Sequence, residues 1–247
     1  MGIIAELTSP ALAKLLDSDQ AVVVLLPVGS VEPHGPHLPL GTDTTISVAA
    51  AKRAVPKLAA KGYAPLIAPS VPYGVTECAS AFPGAVSVPG ETLTAYLHAV
   101  ISGLINTGVT HVCLINNHLE PEHDQAVRAA IDGFESHQAS VACPLKRRWA
   151  RTLSAEFKSG ECHAGQYESA IVLAETPELV DEAARSNLPY VPVSLSEQLM
   201  AGVSDFKEMG MSNAYAGAPA KASAEEGEEL LQLLAEMIAT EVKIGRA

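Results

Sequence analysis

Residues 21–45 read A-V-V-V-L-L-P-V-G-S-V-E-P-H-G-P-H-L-P-L-G-T-D-T-T. The first six are continuously apolar, as in a strand buried on both faces. The composition then changes at once. Glu32, His34, His37 and Asp43 follow, set among three prolines and two glycines. Carboxylates and imidazoles on a stiff loop, just past a buried strand, are where an open α/β sheet puts its chemistry. Pro33 fixes its own φ and biases Glu32 toward extended backbone. In extended backbone, residues two apart face the same way, so Glu32 and His34 can reach one point. Asp43 returns to that point if the loop doubles back at Gly35-Pro36 and Gly41. A plainer reading makes the stretch a polar turn, with Asp43 capping the next helix and His37 on the surface.

Outward from this stretch, apolar runs alternate with amphipathic ones. Strands are expected near 21–27, 64–68, 111–115 and 140–145. Helices are expected near 45–60, 91–106, 121–134 and 167–174, with a short one opening at Ser9-Pro10. A last helix starts at the capping box of Ser223 and Glu226 and runs to about Lys243. This alternation predicts an α/β domain with a mostly parallel sheet covered on both faces. Residues 71–88 form a connection too long to be simple, and such loops are often functional. Residues 186–220 read as irregular. There is no internal repeat and no linker, so residues 1–247 are expected to form a single domain.

The bulk composition narrows the partners. Apolar residues make up 48% of the 247, which suits a large globular core. Sixteen basic residues against 28 acidic ones give a formal charge of −12. Such a surface repels phosphate backbones and anionic lipid, so neither nucleic acid nor a membrane is an expected partner. Divalent cations are more congenial. The first seven residues have no basic region and no long apolar core, so no signal peptide is expected. No apolar run approaches the roughly 20 residues that span a bilayer. Cys78, Cys113, Cys143 and Cys162 form no C-x-x-C, which suits free thiols in a reducing cytoplasm. A catalytic Cys162 beside His163 is a second choice.

The strand near 111–115 runs into N-N-H-L-E-P-E-H, residues 116–123, which repeats the logic of the first loop. His118 and Glu120 are two apart and are followed by a proline. A capped helix start explains the acids here, which favour the helix dipole, but not Asn-Asn-His before them. A third cluster, G-E-C-H-A-G-Q-Y-E-S, residues 160–169, brings Glu161, His163 and Glu168 around Gly165. It too reads as a capped helix start, with Glu161 a solvated acid.

Glu32, His34, Asp43, His118 and Glu120 make five donors of mixed oxygen and nitrogen type. One catalytic zinc takes three protein ligands and a structural one four. Five donors, one carboxylate bridging, suit two metals about 3.5 Å apart. Three carboxylates, two divalent ions and one bridging hydroxide sum to neutral, whereas three clustered carboxylates alone would raise each other's pKa. Such donors suit zinc, manganese or iron. A hydroxide between two metals attacks a carbonyl, and the departing nitrogen then needs a proton. His163 is the expected acid, since histidine titrates near neutrality, with Glu168 or Glu161 to orient it.

The pattern E-x-H-G-x-H-L-P-L-x-T-D at residues 32–43 resembles the signature of the creatininase family of metal-dependent amidohydrolases. The resemblance continues through F-P-G-A-V-S-V (82–88), N-N-H-L-E (116–120), H-A-G-Q-Y-E-S (163–169) and Y-A-G-A-P-A-K-A-S-A-E-E-G-E (215–228). It implies a three-layer α/β/α fold, a binuclear metal centre and a hexamer. Carried over, it implies that Glu32 and His118 bind one metal, His34 and Glu120 the other, and that Asp43 bridges them. His163 stands at the position of a proton-shuttling histidine, and Thr76 at a substrate-contacting one.

Many family members have N-G-H-G-G-N where this chain has N-N-H-L-E-P. The His118–Glu120 spacing is closer to that of the creatininase for which the family is named. The tryptophans that close that enzyme's pocket have no clear counterpart; Trp149 is this chain's only one. Leu119 and Cys162 stand where an aromatic and an acid are expected. The resemblance therefore implies hydrolysis of a C–N bond in a small, neutral or weakly polar amide rather than creatinine. A formamide deformylase, a peptidase trimming a small peptide, and a non-catalytic metal-binding subunit are the alternatives. Residues 186–220 are expected to cover the pocket, in this chain or a neighbour.

Overall fold

The computed structural model describes residues 2–244; Met1 and residues 245–247 of the expected domain lie outside the described residues. Five strands form one sheet in the order β1-β3-β2-β4-β5: β1 (Gly2–Ile3), β2 (Val22–Val28), β3 (Ala64–Ile67), β4 (His111–Asn116) and β5 (Ala139–Ala142). Every pairing is parallel, so the expected mostly parallel sheet is found. The edge strand β1 is only two residues long, too short to leave a periodic signal in the sequence.

Both central strands are buried along their whole length, which is why they read as continuous apolar runs. Their alternate residues feed opposite layers. Val23, Leu25, Cys113 and Ile115 pack under α2 (Thr42–Ala60), α7 (Gln166–Glu175) and α10 (Ala224–Glu241). Val22, Val24, Leu26, Val112 and Leu114 pack against α1 (Ser9–Leu16), α3 (Gly90–Asn106) and α4 (Pro121–Ala129). The layers are those of an α/β/α sandwich. On the first face α10 lies so close to α7 that a Cβ on Gly227 would overlap the backbone of Ala170.

Element ends differ from expectation where local chemistry decides. Thr8, not Ser9, caps α1, its hydroxyl accepting from the Ala11 N–H. The helix after Pro121 stops at Ala129 rather than near residue 134, ahead of Gly133 with φ +88°. Ser223 does cap α10, accepting from the Glu226 N–H, and the helix ends at Glu241. Four short helices escaped the periodicity: α5 (Arg147–Ala150), α6 (Ala155–Ser159), α8 (Glu182–Arg185) and α9 (Leu195–Met200). None completes enough turns to show an apolar stripe. Among the described residues no helix is long and apolar enough to cross a membrane.

The strand order creates the site. The chain leaves β2 for β3 on one side and then crosses to β4 on the other. Connections leaving neighbouring β2 and β4 therefore part at their carboxyl ends and open a crevice there. A separate apolar cluster pins residues 78–79 to residues 206–216.

Candidate metal centre

The loop after β2 doubles back as its glycines and prolines suggest. The Glu32 N–H donates to the Leu40 carbonyl at 3.0 Å, and the Gly35 N–H to Ala214 at 2.8 Å. Gly35 has φ +68°, and a Cβ there would press on the His37 ring, so the turn needs glycine. The cap of α2 is Gly41, so Asp43 is not a cap. In the first turn of that helix it faces inward, accepting from Ser30 Oγ at 2.7 Å.

Glu32, His34, Asp43 and His118 converge in the crevice, each at most 3% exposed. The two histidines are oriented in the same way. His34 Nδ1 donates to the Glu32 carbonyl at 3.0 Å, and His118 Nε2 to the Val75 carbonyl at 2.7 Å. A carbonyl only accepts, so these nitrogens carry the hydrogens. The other nitrogen of each ring faces carboxylates: His34 Nε2 lies 3.2 Å from Asp43 Oδ1, and His118 Nδ1 lies 3.1 Å from Asp43 Oδ2 and 3.3 Å from Glu32 Oε1. Asp43 thus offers one oxygen to each histidine. Glu32 Oε2 accepts from the Thr76 hydroxyl. Thr76, expected to contact substrate, is fully buried beneath that carboxylate and is not among the residues lining the cavity.

The donors sort differently from the sequence expectation. Glu120 joins Glu32 and His118, with donor atoms within 4.8 Å of one another, and not His34. Its oxygens accept from the backbone N–H groups of Glu77 and Cys78 at 2.9 and 3.1 Å. The partner of His34 and Asp43 is Glu168, whose Oε2 lies 3.6 Å from His34 Nε2. Glu168 therefore sits with the donors rather than behind His163 as its orienting group. Glu161 does not orient His163 either: it accepts from the Tyr190 hydroxyl on the surface. His37 is buried but points away, bonded to Ser169 at 2.8 Å.

His163 Nε2 donates to the Pro33 carbonyl at 3.0 Å, leaving Nδ1 toward the cluster, 3.8 Å from Glu32 Oε1. Its main chain is held in place by Ala164, which adopts φ +49°, a conformation that costs a non-glycine residue about 1–2 kcal/mol. That turn aims the Ala164 N–H at Glu168 Oε2, 2.7 Å away. Phe206 packs on the His163 ring with centroids 4.5 Å apart.

Electrostatics follow from burial and mutual attraction. Burial opposes charge on every group, yet His118 and the neighbouring charges draw Glu32 down to about 2 and Asp43 well below the carboxylate range. Against burial, Asp43, Glu168 and Glu32 raise His34 to about 10, and Glu32 and Asp43 raise His118 well above its ordinary value. Burial lifts Glu168 to about 8 and raises Glu120. Burial and the nearby His34 lower His163 to about 4. Burial also pushes the Cys162 thiol up, so a thiolate nucleophile at neutral pH is disfavoured.

The sequence left Asn-Asn-His unexplained, and the structure supplies the reason. Asn116 Oδ1 accepts from the His118 N–H and from His123 Nε2, both at 3.1 Å. His123 stacks edge-on against His118 at 4.6 Å. Asn117 donates to Ser47, tying the loop to α2. Trp149 is not among the residues lining the cavity over the cluster; its indole N–H donates to Glu241 at 2.6 Å.

The cluster floors a cavity of about 680 Å³. Leu119, Glu120, Cys162, His163 and Phe206 form its inner wall. Leu195, Ser196, Leu199 and Met200, from the irregular segment 186–220, cover it within the same chain. Arg147, Arg151 and Lys158, on and beside α5 and α6, line it as well. Nothing in their sequence context marks these three.

A family model described as creatininase, creatinine amidohydrolase, matches residues 5–242. The mycofactocin precursor peptide peptidase of Mycolicibacterium smegmatis is 30% identical over 220 residues, spanning 87% of this chain and 81% of its own. The creatinine amidohydrolase of Pseudomonas putida is 29% identical over 179 residues, spanning 64% of this chain and 66% of its own. The solved structure named Creatininase Mn superposes with a TM-score of 0.74 at 23% identity, covering 96% of each chain, a likeness of fold.

Proposed function

The chain belongs to the creatininase family of hydrolases acting on carbon–nitrogen bonds, and we propose that it is a metal-dependent amidohydrolase opening an amide or cyclic amide bond of a small molecule. One observation carries this reading: two buried histidines, each locked by a backbone carbonyl, present their free nitrogens to shared carboxylates. Without a metal both imidazoles are held protonated against these carboxylates, and a divalent cation can take the place of those protons between the same atoms. Outer hydrogen bonds of this kind orient metal-binding imidazoles. The donor set fits zinc, manganese or iron. Glu32, His118 and Glu120 would hold one ion and His34, Asp43 and Glu168 a second, with Asp43 serving both. Two such ions supply Lewis acidity and lower the pKa of water at neutral pH.

The chain's own residues move the proton. His163 is neutral at pH 7 because burial holds it at about 4. Its Nε2–H is fixed on Pro33, so Nδ1 accepts. As the water oxygen bonds to the carbonyl carbon, Nδ1 takes the water proton. When the C–N bond breaks, Nδ1 returns that proton to the leaving nitrogen. Phe206 keeps solvent from the ring, and Glu120, its oxygens held by the Glu77 and Cys78 N–H groups, faces the cavity beside the substrate.

A second reading, cleavage of a short peptide, draws on the name of the 30% identical relative and on the cavity's volume. The same proposal takes the chain as one domain of a cytoplasmic homohexamer; all four cysteines are unpaired, which suits a reducing compartment. The test is a panel of lactams, hydantoins, N-formyl amines, creatinine and short peptides offered to manganese- or zinc-loaded protein. Metal-dependent release of amine from at least one, abolished by chelation, is expected. Fully loaded protein that opens none overturns the reading.

A further inference from the structure

Resting on the amidohydrolase reading, we propose that the substrate carries a carboxylate on an apolar stem, held at the cavity mouth by Arg147, Arg151 and Lys158. This acidic chain pairs most of its arginines with carboxylates. Its described arginines number six. Arg53, Arg128, Arg148 and Arg185 are each bonded to a carboxylate. Among the described residues Arg147 and Arg151 have no such partner, nor does Lys158, although acids outnumber bases by 28 to 16. All three are exposed, and all three line the one cavity that holds the donor cluster.

Their placement opposes simple surface solvation. Arg147 and Arg151 are four apart around α5, a spacing at which like charges repel. Arg148, next to Arg147 in sequence, turns the other way to Glu241 with Lys146. The turn thus sends two arginines to the cavity and two cations to the buried acid. An anion between Arg147 and Arg151 relieves their repulsion. Guanidinium forks match the planar, two-oxygen face of a carboxylate.

Exposed apolar side chains line the same cavity. Met200 is 80% exposed and Leu145 is 41% exposed, and both line the cavity with Leu195 and Leu199. Apolar side chains left in water at a cavity mouth are what an apolar stem would cover. The cavity is roomy enough for a ligand that spans from mouth to floor. The scissile amide then lies at the acidic floor and the carboxylate at the basic rim. This assigns the substrate class as an amide whose carboxylate lies several atoms away along an apolar chain, as in an N-acyl ω-amino acid. It revises the neutral or weakly polar amide expected from sequence.

The probes are N-acetyl-ε-aminocaproic acid and its primary amide, which differ only in a carboxylate against a carboxamide. Their binding to manganese-loaded protein is measured by calorimetry, so the result does not depend on turnover. Tighter binding of the carboxylate by about ten-fold or more is expected, as for loss of one charge-assisted hydrogen bond. In Arg147→Gln/Arg151→Gln, and again with Lys158→Gln added, that preference should shrink toward one. Equal binding of both probes by the parent protein overturns the proposal. So does a preference that survives the variants, because the carboxylate is then held at the floor. Anion binding that follows the expected pattern, in a protein that opens no amide, leaves the rim assignment standing and sinks the amidohydrolase reading instead.

Discussion

Nδ1 of His118 lies 3.1 Å from Oδ2 of Asp43, although one follows β4 and the other opens α2. The other oxygen of Asp43 faces His34 Nε2 at 3.2 Å. One carboxylate therefore couples donors from two separate crossovers of the sheet. It is the residue on which both halves of the proposed centre depend.

Reconstituted, desalted protein should carry about two divalent ions per chain. Asp43→Ala should lose most of both, since neither group keeps its shared donor. Elemental analysis checks this, and full retention of metal by the variant would remove Asp43 from the centre.

Loading should release protons. His34 is held near 10 and His118 well above its ordinary value in the metal-free site, so both are charged at pH 7. Each must give up its proton to offer a lone pair, and so must Glu168, held at about 8, which makes about three per chain. Affinity should accordingly rise with pH from 6 to 8. Calorimetric titration in buffers of different ionisation enthalpy counts the protons; a count of zero contradicts the assignment.

His163→Ala should lower kcat by about 10²–10⁴ with metal content intact. Lost metal would make His163 a ligand, which its grouping with Glu32 and His34 allows. The sign of the pH effect also follows. A base held at about 4 is neutral above that value and protonated below it. Its acid limb in kcat/KM should thus fall below the ordinary histidine range, and a limb near 6.5 that vanishes in the variant would contradict the depressed value.

Glu161, before α7, and Glu168, in its first turn, should separate cleanly. Glu168→Gln should reduce metal content and activity together, because Glu168 stands with His34 and Asp43. Glu161→Gln should leave both unchanged, because Glu161 meets only Tyr190 at the surface. Metal analysis and rates on the two proteins decide it, and equal effects would refute this sorting.

Gly227→Ala tests the helical layer. The added Cβ would overlap the Ala170 backbone and drive α10 off α7. A loss of about 1–3 kcal/mol, typical of overpacking, should appear in urea unfolding. Unchanged stability would mean that the two helices are less tightly seated.

Local chemistry along the chain sets the alternation of strands and helices, the buried central strands and the first donor loop. Each of these depends on neighbours in the chain. A strand buried on both faces must be apolar throughout, and Pro33 between Glu32 and His34 sets their direction locally. The convergence of Glu32, His34, Asp43 and His118 was legible for the same reason, because both donor loops directly follow apolar strands. Which donors share a group was decided only by tertiary structure. The switch in strand order brings the 116–120 loop against Glu32, while the turn at Ala164 swings Glu168 onto His34. Thr76 beneath Glu32, Phe206 on His163 and the cations of α5 and α6 at the cavity mouth were likewise invisible. Such contacts join segments far apart in sequence, and a side chain's role there depends on what the folded chain sets opposite it.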